Sequence, residues 1–67
     1  MTIFVNDKAT EVKYGTNLED LSLALGMIEK KGWAFALNDS IVTKEEMEKI
    51  TLTENDRVLL IQATQGG

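Results

Sequence analysis

The sequence predicts a two-layer α+β domain in which a mixed sheet of four to five strands packs on one α-helix. One segment, residues 16–26, places leucines at helical spacing. Short β-rich or alternating segments surround it, in the order β-β-α-β-β-short helix-β. The 67 residues suffice for one small core, so the helix can cover only one face of the sheet.

The N-terminal segment predicts a β-hairpin. Residues 2–6 are rich in β-branched and aromatic side chains, and residues 10–14 alternate between apolar and polar positions. Residues 6–8 between them are typical of a turn. In the second strand we expect Val12 and Tyr14 to face the same side of the sheet.

The central helix has predicted signals at both ends. Thr16 is the expected N-cap because Glu19 follows three residues later, which is the spacing of a capping box. Gly26 can end the helix in the left-handed conformation, after which Met27 and Ile28 are expected to return to the core. The buried stripe is expected to contain Leu18, Leu21, Ala24 and Leu25.

The second half of the chain predicts two more strands, a short helix and a final strand. Trp33, Phe35 and Leu37 share one face of the first of these strands. Thr43 and Glu46 form a second capping box. The segments are predicted at residues 33–38 (strand), 38–40 (turn), 41–42 (strand), 43–49 (short helix), 53–56 (turn) and 57–63 (strand).

The final strand predicts an apolar patch on the outer face of the sheet. Four consecutive apolar residues lie in it, and successive side chains point to opposite faces. We expect Val58 and Leu60 to face the helix, and Leu59 and Ile61 to lie outside near Phe4. We call Phe4, Leu59 and Ile61 the outer patch and expect it to bind a protein. The alternative is ordinary apolar surface, or cover from the loop after the helix.

The composition excludes several classes of enzyme. The chain has no cysteine and no histidine, so it offers no thiolate nucleophile, disulfide, cysteine- or histidine-ligated zinc site or imidazole base. Glu19-Asp20 and Glu45-Glu46 are carboxylate pairs, but in first helical turns they favour the helix dipole rather than acid–base chemistry. We expect no catalytic residue in its own right, no metal site and no bound cofactor.

Charge and hydropathy limit the expected partners. The formal net charge of −4 argues against nucleic acid, which requires a basic footprint. Neither a signal peptide nor an apolar run long enough to span a membrane is visible. We expect a cytoplasmic protein that is monomeric when free and that acts through protein partners.

The predicted tail, residues 64–67, follows the predicted domain of residues 1–63 and is the remaining candidate for chemistry. Gln65 is polar, and Gly66 and Gly67 have no side chain, so the terminal carboxylate can enter a narrow site of another protein. A carboxylate is a poor electrophile and has to be activated, commonly as a mixed anhydride with AMP. Because the chain has no phosphate-binding loop, a partner enzyme would have to bind the ATP.

Six motifs are spread over the chain: IFVND, Gly15 before the helix, ALNDSIV, TKEEM, ENDRVLLIQA and the terminal QGG. Together they resemble the sulfur carrier proteins of thiamine biosynthesis (the ThiS family), which have a ubiquitin-like β-grasp fold. Gly-Gly ends also occur in other carriers and in ubiquitin-like modifiers. The more specific motifs are therefore ALNDSIV and DRVLLIQATQGG. Many members have proline where this chain has Thr43, a departure that affects only the local turn.

The resemblance implies a division of roles between the tail and its partners. Gly67 would carry the reactive group, and Gly66 would let it reach a partner's site, with Gln65 in the same tail. An E1-like adenylating enzyme would form a glycyl adenylate with ATP, and sulfur from a desulfurase relay would convert it to a thiocarboxylate (1-thioglycine). Thiazole synthase would then take the sulfur, and the outer patch would be the docking surface.

Three alternatives remain open at this point. One is the small subunit of molybdopterin synthase, which shares the fold and the terminal glycines but is usually longer. Another is a modifier in protein or tRNA thiolation. The third is a β-grasp interaction module whose two terminal glycines have no chemical role.

Overall fold

The structure, a computed structural model, describes residues 1–27 and 31–62. Within these residues five strands and two helices occur in the predicted order. They are β1 (Thr2–Val5), β2 (Lys8–Glu11), α1 (Leu18–Ala24), β3 (Trp33–Leu37), β4 (Ser40–Val42), α2 (Lys44–Met47) and β5 (Arg57–Gln62). The predicted α+β class, with a mixed sheet and one main helix, is confirmed.

β5 lies at the centre of the sheet, whose strand order is β2-β1-β5-β3-β4. It runs parallel to β1 and antiparallel to β3, and the hairpins β1–β2 and β3–β4 are both antiparallel. The last strand is therefore held from both sides. Its side chains alternate between the inner face, which is packed in the core, and the outer face.

The core lies between α1 and the inner face of the sheet. Met27 is part of it, as predicted for the segment after Gly26, whereas Ile28 lies outside the described residues. The buried cluster consists of Ile3, Leu18, Leu21, Met27, Trp33, Phe35, Val42, Met47, Leu52 and Val58. No helix in the described part of the chain is long and apolar enough to cross a membrane.

The N-cap of α1 is Asn17, not Thr16 as predicted. The Asn17 Oδ1 atom accepts the Asp20 N–H at 2.7 Å, and the Asp20 Oδ2 atom accepts the Asn17 N–H at 3.3 Å. The Thr16 carbonyl instead accepts the Leu52 N–H at 2.8 Å. This long-range hydrogen bond keeps Thr16 outside the helix, so the capping box lies one residue further along the chain.

The apolar stripe of α1 is shorter than predicted. Its first two leucines are buried, but Ala24 and Leu25 are exposed because the helix ends at Ala24 and Leu25 is the C-cap. Ser22 is buried instead, and its hydroxyl donates to the Glu19 carbonyl at 2.7 Å. Gly26 follows with a φ of 73°, in the predicted left-handed conformation.

β2 begins two residues earlier than predicted. The turn before it consists of Asn6 and Asp7, which have φ angles of 50° and 67°. Two left-handed residues make the tightest hairpin connection, so Lys8 pairs directly with Val5. The prediction that Tyr14 lies in this strand, on the same face as Val12, is therefore wrong, because Tyr14 lies beyond β2 and is 78% exposed.

β3, β4 and α2 follow the prediction closely. Trp33 and Phe35 are buried on the same face, with their ring centroids 5.1 Å apart in an edge-to-face arrangement. The predicted capping box of Thr43 and Glu46 opens α2. β5 begins at the predicted residue, Arg57, and the described part of it ends at Gln62.

Candidate functional site: the outer face of the sheet

The side chains of β5 alternate as predicted. Val58 is 2% exposed and lies in the core, and Leu60 is half-buried against it. Leu59 and Ile61 point to the outer face, where they are 50% and 39% exposed. The predicted register of β5 is therefore confirmed, and the role of these side chains in docking remains a prediction.

The neighbouring strands add further apolar side chains to the outer face. Phe4 on β1 pairs with the first residue of β5 and is half-buried. Ala36 on β3 pairs with both Leu59 of β5 and Ile41 of β4. Together with Ile61 these residues line a groove of about 390 Å³, which we call the outer groove.

Sequence reasoning missed two outward-facing apolar residues of the outer groove, Ile41 and Ala36. Ile41 is 64% exposed and is among the most exposed large apolar side chains in the described residues. The signal was available locally, because Ile41 precedes Val42, and only one of two successive strand residues can face the core. For Ala36 the alternation of β3 predicted the outer face, but its contact with Leu59 depends on the pairing of β3 with β5.

Charged and polar side chains mark the end of the outer groove where β5 begins. Asp7 and Asp39, from the turns of the two hairpins, line this end together with Asn6 and Arg57. The Arg57 guanidinium lies 2.9 Å from the Asp39 carboxylate, and both side chains are exposed. An exposed pair of this kind adds little to stability. It does give the groove a charged end and, toward Ile61, an apolar end.

Another carboxylate, Asp56, lies just before β5. Partial burial opposes its ionisation, but hydrogen bonds from the Thr53 N–H and the Asn38 side-chain amide outweigh this effect. The pKa of Asp56 is therefore below its ordinary value. The Asn38 bond ties the turn before β5 to the β3–β4 hairpin, which fixes the position at which β5 starts.

One member of each carboxylate pair of the sequence takes part in a helix cap. Asp20 closes the capping box of α1, and Glu46 closes that of α2. The Thr43 N–H, with the Thr43 hydroxyl, lowers the pKa of Glu46. The structure thus gives these side chains a structural role, in line with their predicted placement in first helical turns.

The predicted reactive residues, Gln65, Gly66 and Gly67, lie outside the described residues, as does the predicted boundary between residues 63 and 64. Their roles remain predictions. The described residues end at Gln62, which pairs with Trp33 at the end of β5, so the structure shows only the position from which residues 63–67 follow. The outer groove lies on the strand that leads directly into the tail.

Comparison with known proteins identifies the family. The ThiS family matches residues 2–67. The sulfur carrier protein ThiS of Escherichia coli (strain K12) is 31% identical over 67 residues, which cover 100% of both chains.

Solved structures of the thiamine biosynthesis protein (ThiS) of Geobacter metallireducens have the same fold. The crystal structure is 25% identical and covers 100% of both chains with a TM-score of 0.84. The solution structure gives a TM-score of 0.78 at the same identity and covers 100% of this chain and 88% of that one. The predicted β-grasp fold is thereby confirmed. These relatives favour thiamine synthesis over the molybdopterin alternative. The chain belongs to the ThiS family of sulfur carrier proteins.

Proposed function

We propose that the chain carries sulfur for thiazole formation as a thiocarboxylate on the C-terminal carboxyl group of Gly67. The observation that supports this most strongly is the match to the ThiS family, which continues through residue 67 and so includes the terminal Gly66-Gly67 pair. Neither glycine has a side chain that would shield the reacting carbonyl carbon or widen the tail. The chain is a carrier and not an enzyme.

The activating step belongs to an E1-like adenylating enzyme that binds ATP. The carboxylate of Gly67 attacks the α-phosphorus of ATP, pyrophosphate leaves, and the glycyl carbonyl carbon becomes electrophilic as an acyl adenylate. A persulfide sulfur from a desulfurase relay then displaces AMP. A thiol reductant cleaves the resulting acyl disulfide and leaves 1-thioglycine at Gly67. Thiazole synthase is the second partner, and it takes the sulfur from this thiocarboxylate.

The outer groove is the proposed docking surface for these partners. Leu59 and Ile61 are exposed, and Phe4 lies beside them on the same face. Clustered exposed apolar side chains on a small domain favour a protein partner. A partner bound here is also close to the point where the described chain ends, because the tail follows β5 in the sequence. The charged end, with Asp7 and Asp39, fits a basic side chain at the rim of the partner's surface.

The proposed setting is the cytoplasm, where ATP and sulfur donors are available to the adenylating enzyme, with the carrier monomeric when free. In this scheme the chain itself binds no nucleotide, metal or nucleic acid. All of its chemistry takes place in the sites of its partners.

A complementation experiment tests the proposed function. A strain that lacks its own thiamine sulfur carrier is given either the full chain or the chain without Gly67, together with the cognate adenylating enzyme. We expect growth without added thiamine or thiazole only with the full chain. Growth with the shortened chain would show that Gly67 does not carry the sulfur. Thiazole supplementation should restore growth in both cases, which controls for damage elsewhere in metabolism.

A further inference from the structure

Both β-hairpins of the fold turn through an Asn-Asp pair. Asn6 and Asp7 connect β1 to β2, and Asn38 and Asp39 connect β3 to β4. All four residues have φ angles in the left-handed region, between 49° and 74°. Both turns directly follow a strand that pairs with β5. The two asparagines are thus the points at which β1 and β3 leave β5.

At the first of these points the Asn6 side chain continues the parallel ladder between β1 and β5. The Asn6 N–H donates to the Val58 carbonyl at 2.9 Å, as in a regular parallel pair. In such a pair the Asn6 carbonyl would accept the Leu60 N–H, but its backbone has turned into the hairpin. The Asn6 Oδ1 atom accepts the Leu60 N–H instead, at 2.9 Å. The side-chain carbonyl thus takes the place of a backbone carbonyl.

The Asn38 side chain makes the same kind of bond on the other side of β5. Its N–H donates to the Arg57 carbonyl at 2.8 Å, and its Oδ1 atom accepts the Arg57 N–H at 2.9 Å. Exchange of two hydrogen bonds between directly opposite residues is the pattern of an antiparallel pair. Here too a side-chain oxygen replaces a backbone carbonyl. The repetition in an independent turn indicates that the Asn6 bond is a feature of the fold and not an accident of one rotamer.

We propose that Asn6 is a positioning residue that holds the tail-bearing half of β5 in the register needed for partner docking; this inference rests on the proposed function. The Leu60 N–H that it binds lies between Leu59 and Ile61, the exposed apolar residues that β5 contributes to the outer groove. The paired residues of β1 and β5 extend along β5 only to Val58. On the β1 side, the Asn6 Oδ1 atom is therefore what anchors β5 beyond that point.

The register of β5 decides which side chains the partner meets. Because side chains alternate, a slip of one residue would place Val58 and Leu60 on the outer face and bury Leu59 and Ile61. The same strand leads into the tail, so a loosened Leu60 also changes the point from which Gly67 is presented. Loss of the Asn6 bond should therefore weaken binding to the partner without slowing the chemical step, since the terminal carboxyl group is unaltered.

Two substitutions at Asn6 separate the side-chain oxygen from the shape of the turn. Asn6→Gly removes the acceptor but tolerates the left-handed backbone, whereas Asn6→Asp keeps an acceptor and also tolerates that backbone. Asn38→Gly is the control, because it removes the same kind of bond from the same kind of turn but at Arg57, together with the bond that the Asn38 side-chain amide donates to Asp56. Amide hydrogen exchange of each purified protein and its adenylation kinetics are measured in parallel.

With Asn6→Gly we expect faster exchange of the Leu60 amide. We also expect the KM of the adenylating enzyme for the carrier to rise about fivefold at unchanged kcat, because one hydrogen bond is worth a factor of about that size. Asn6→Asp should move both readouts back toward wild type. Asn38→Gly should accelerate exchange at Arg57, and not at Leu60, with a smaller rise in KM.

Several results would overturn the proposal. Wild-type exchange at Leu60 in Asn6→Gly would show that the Asn6 bond does not hold β5. An equal rise in KM for Asn38→Gly would indicate a general loss of stability, and failure of Asn6→Asp to rescue would exclude the acceptor as the cause. If wild-type carrier is not adenylated at all, the proposed function fails. Even then, the exchange of the Leu60 amide still tests the bond itself.

Discussion

At the scale of single residues, the neighbours Leu59 and Leu60 have opposite roles. Leu59 is half-exposed in the outer groove, whereas Leu60 packs against the core. Their chemistry is identical, and only the alternation of β5 separates them. A charge introduced at one position therefore tests docking, and the same charge at the other tests stability.

Leu59→Asp should weaken binding to the adenylating enzyme by about tenfold or more, because a charge would be buried against an apolar surface. Its effect on the free energy of unfolding should stay at about 1 kcal/mol or less, as is usual for surface positions. Leu60→Asp, the matched control, should mainly destabilise the fold. Binding by titration calorimetry and unfolding in urea measure the two effects. Equal losses of binding and stability in Leu59→Asp would mean that Leu59 is not a docking residue.

The Asp56 carboxylate makes a second residue-scale prediction. Its folded pKa lies below the unfolded value of 3.8, so its contribution to stability is fully present above that pH. The contribution is lost as the pH falls through the lower folded pKa. We expect the free energy of unfolding to decline as the pH falls below 3.8, and to decline less in Asp56→Asn. Urea unfolding at several pH values measures this, and an unchanged pH dependence in Asp56→Asn would contradict the assignment.

At the scale of elements, the sequence predicted those whose signals are local. The alternation of β3 and β5 and the capping box of α2 depend on neighbouring residues, and all three are confirmed. The N-cap of α1 depends on a hydrogen bond between Thr16 and Leu52, which no local pattern reveals. The outer groove divides in the same way. Leu59 and Ile61 follow from alternation, whereas the contact of Ala36 with β5 requires knowledge of strand pairing.

Alanine substitutions can distinguish Asn17, the observed N-cap of α1, from Thr16, the predicted one. Asn17→Ala should lower the free energy of unfolding by about 1 kcal/mol, because the Asp20 N–H loses its acceptor. The Asn17 side-chain amide also donates to the Glu48 carbonyl at 3.2 Å, and that bond would be lost too. Thr16→Ala should have the smaller effect. The midpoint of urea unfolding reports both, and a larger loss for Thr16→Ala would restore Thr16 as the cap.

At the scale of the whole molecule, β5 connects the parts that the proposed function needs. It is the central strand, its inner face completes the core, and its outer face carries Leu59 and Ile61. It then leads into the residues that end in Gly66 and Gly67. In the proposed function, a domain of this size presents a docking surface and a reactive terminus together, while larger partners supply the nucleotide site and the catalytic groups.

The most direct test of this account is the mass of the purified carrier after incubation with its adenylating enzyme, ATP and a sulfur donor. We predict that the intact chain gains the mass difference between one sulfur and one oxygen atom, and that fragmentation places this gain at Gly67. The chain without Gly67 should remain unchanged under the same conditions. An unchanged mass of the intact chain with an active cognate enzyme, or a gain located at any other residue, would contradict the account.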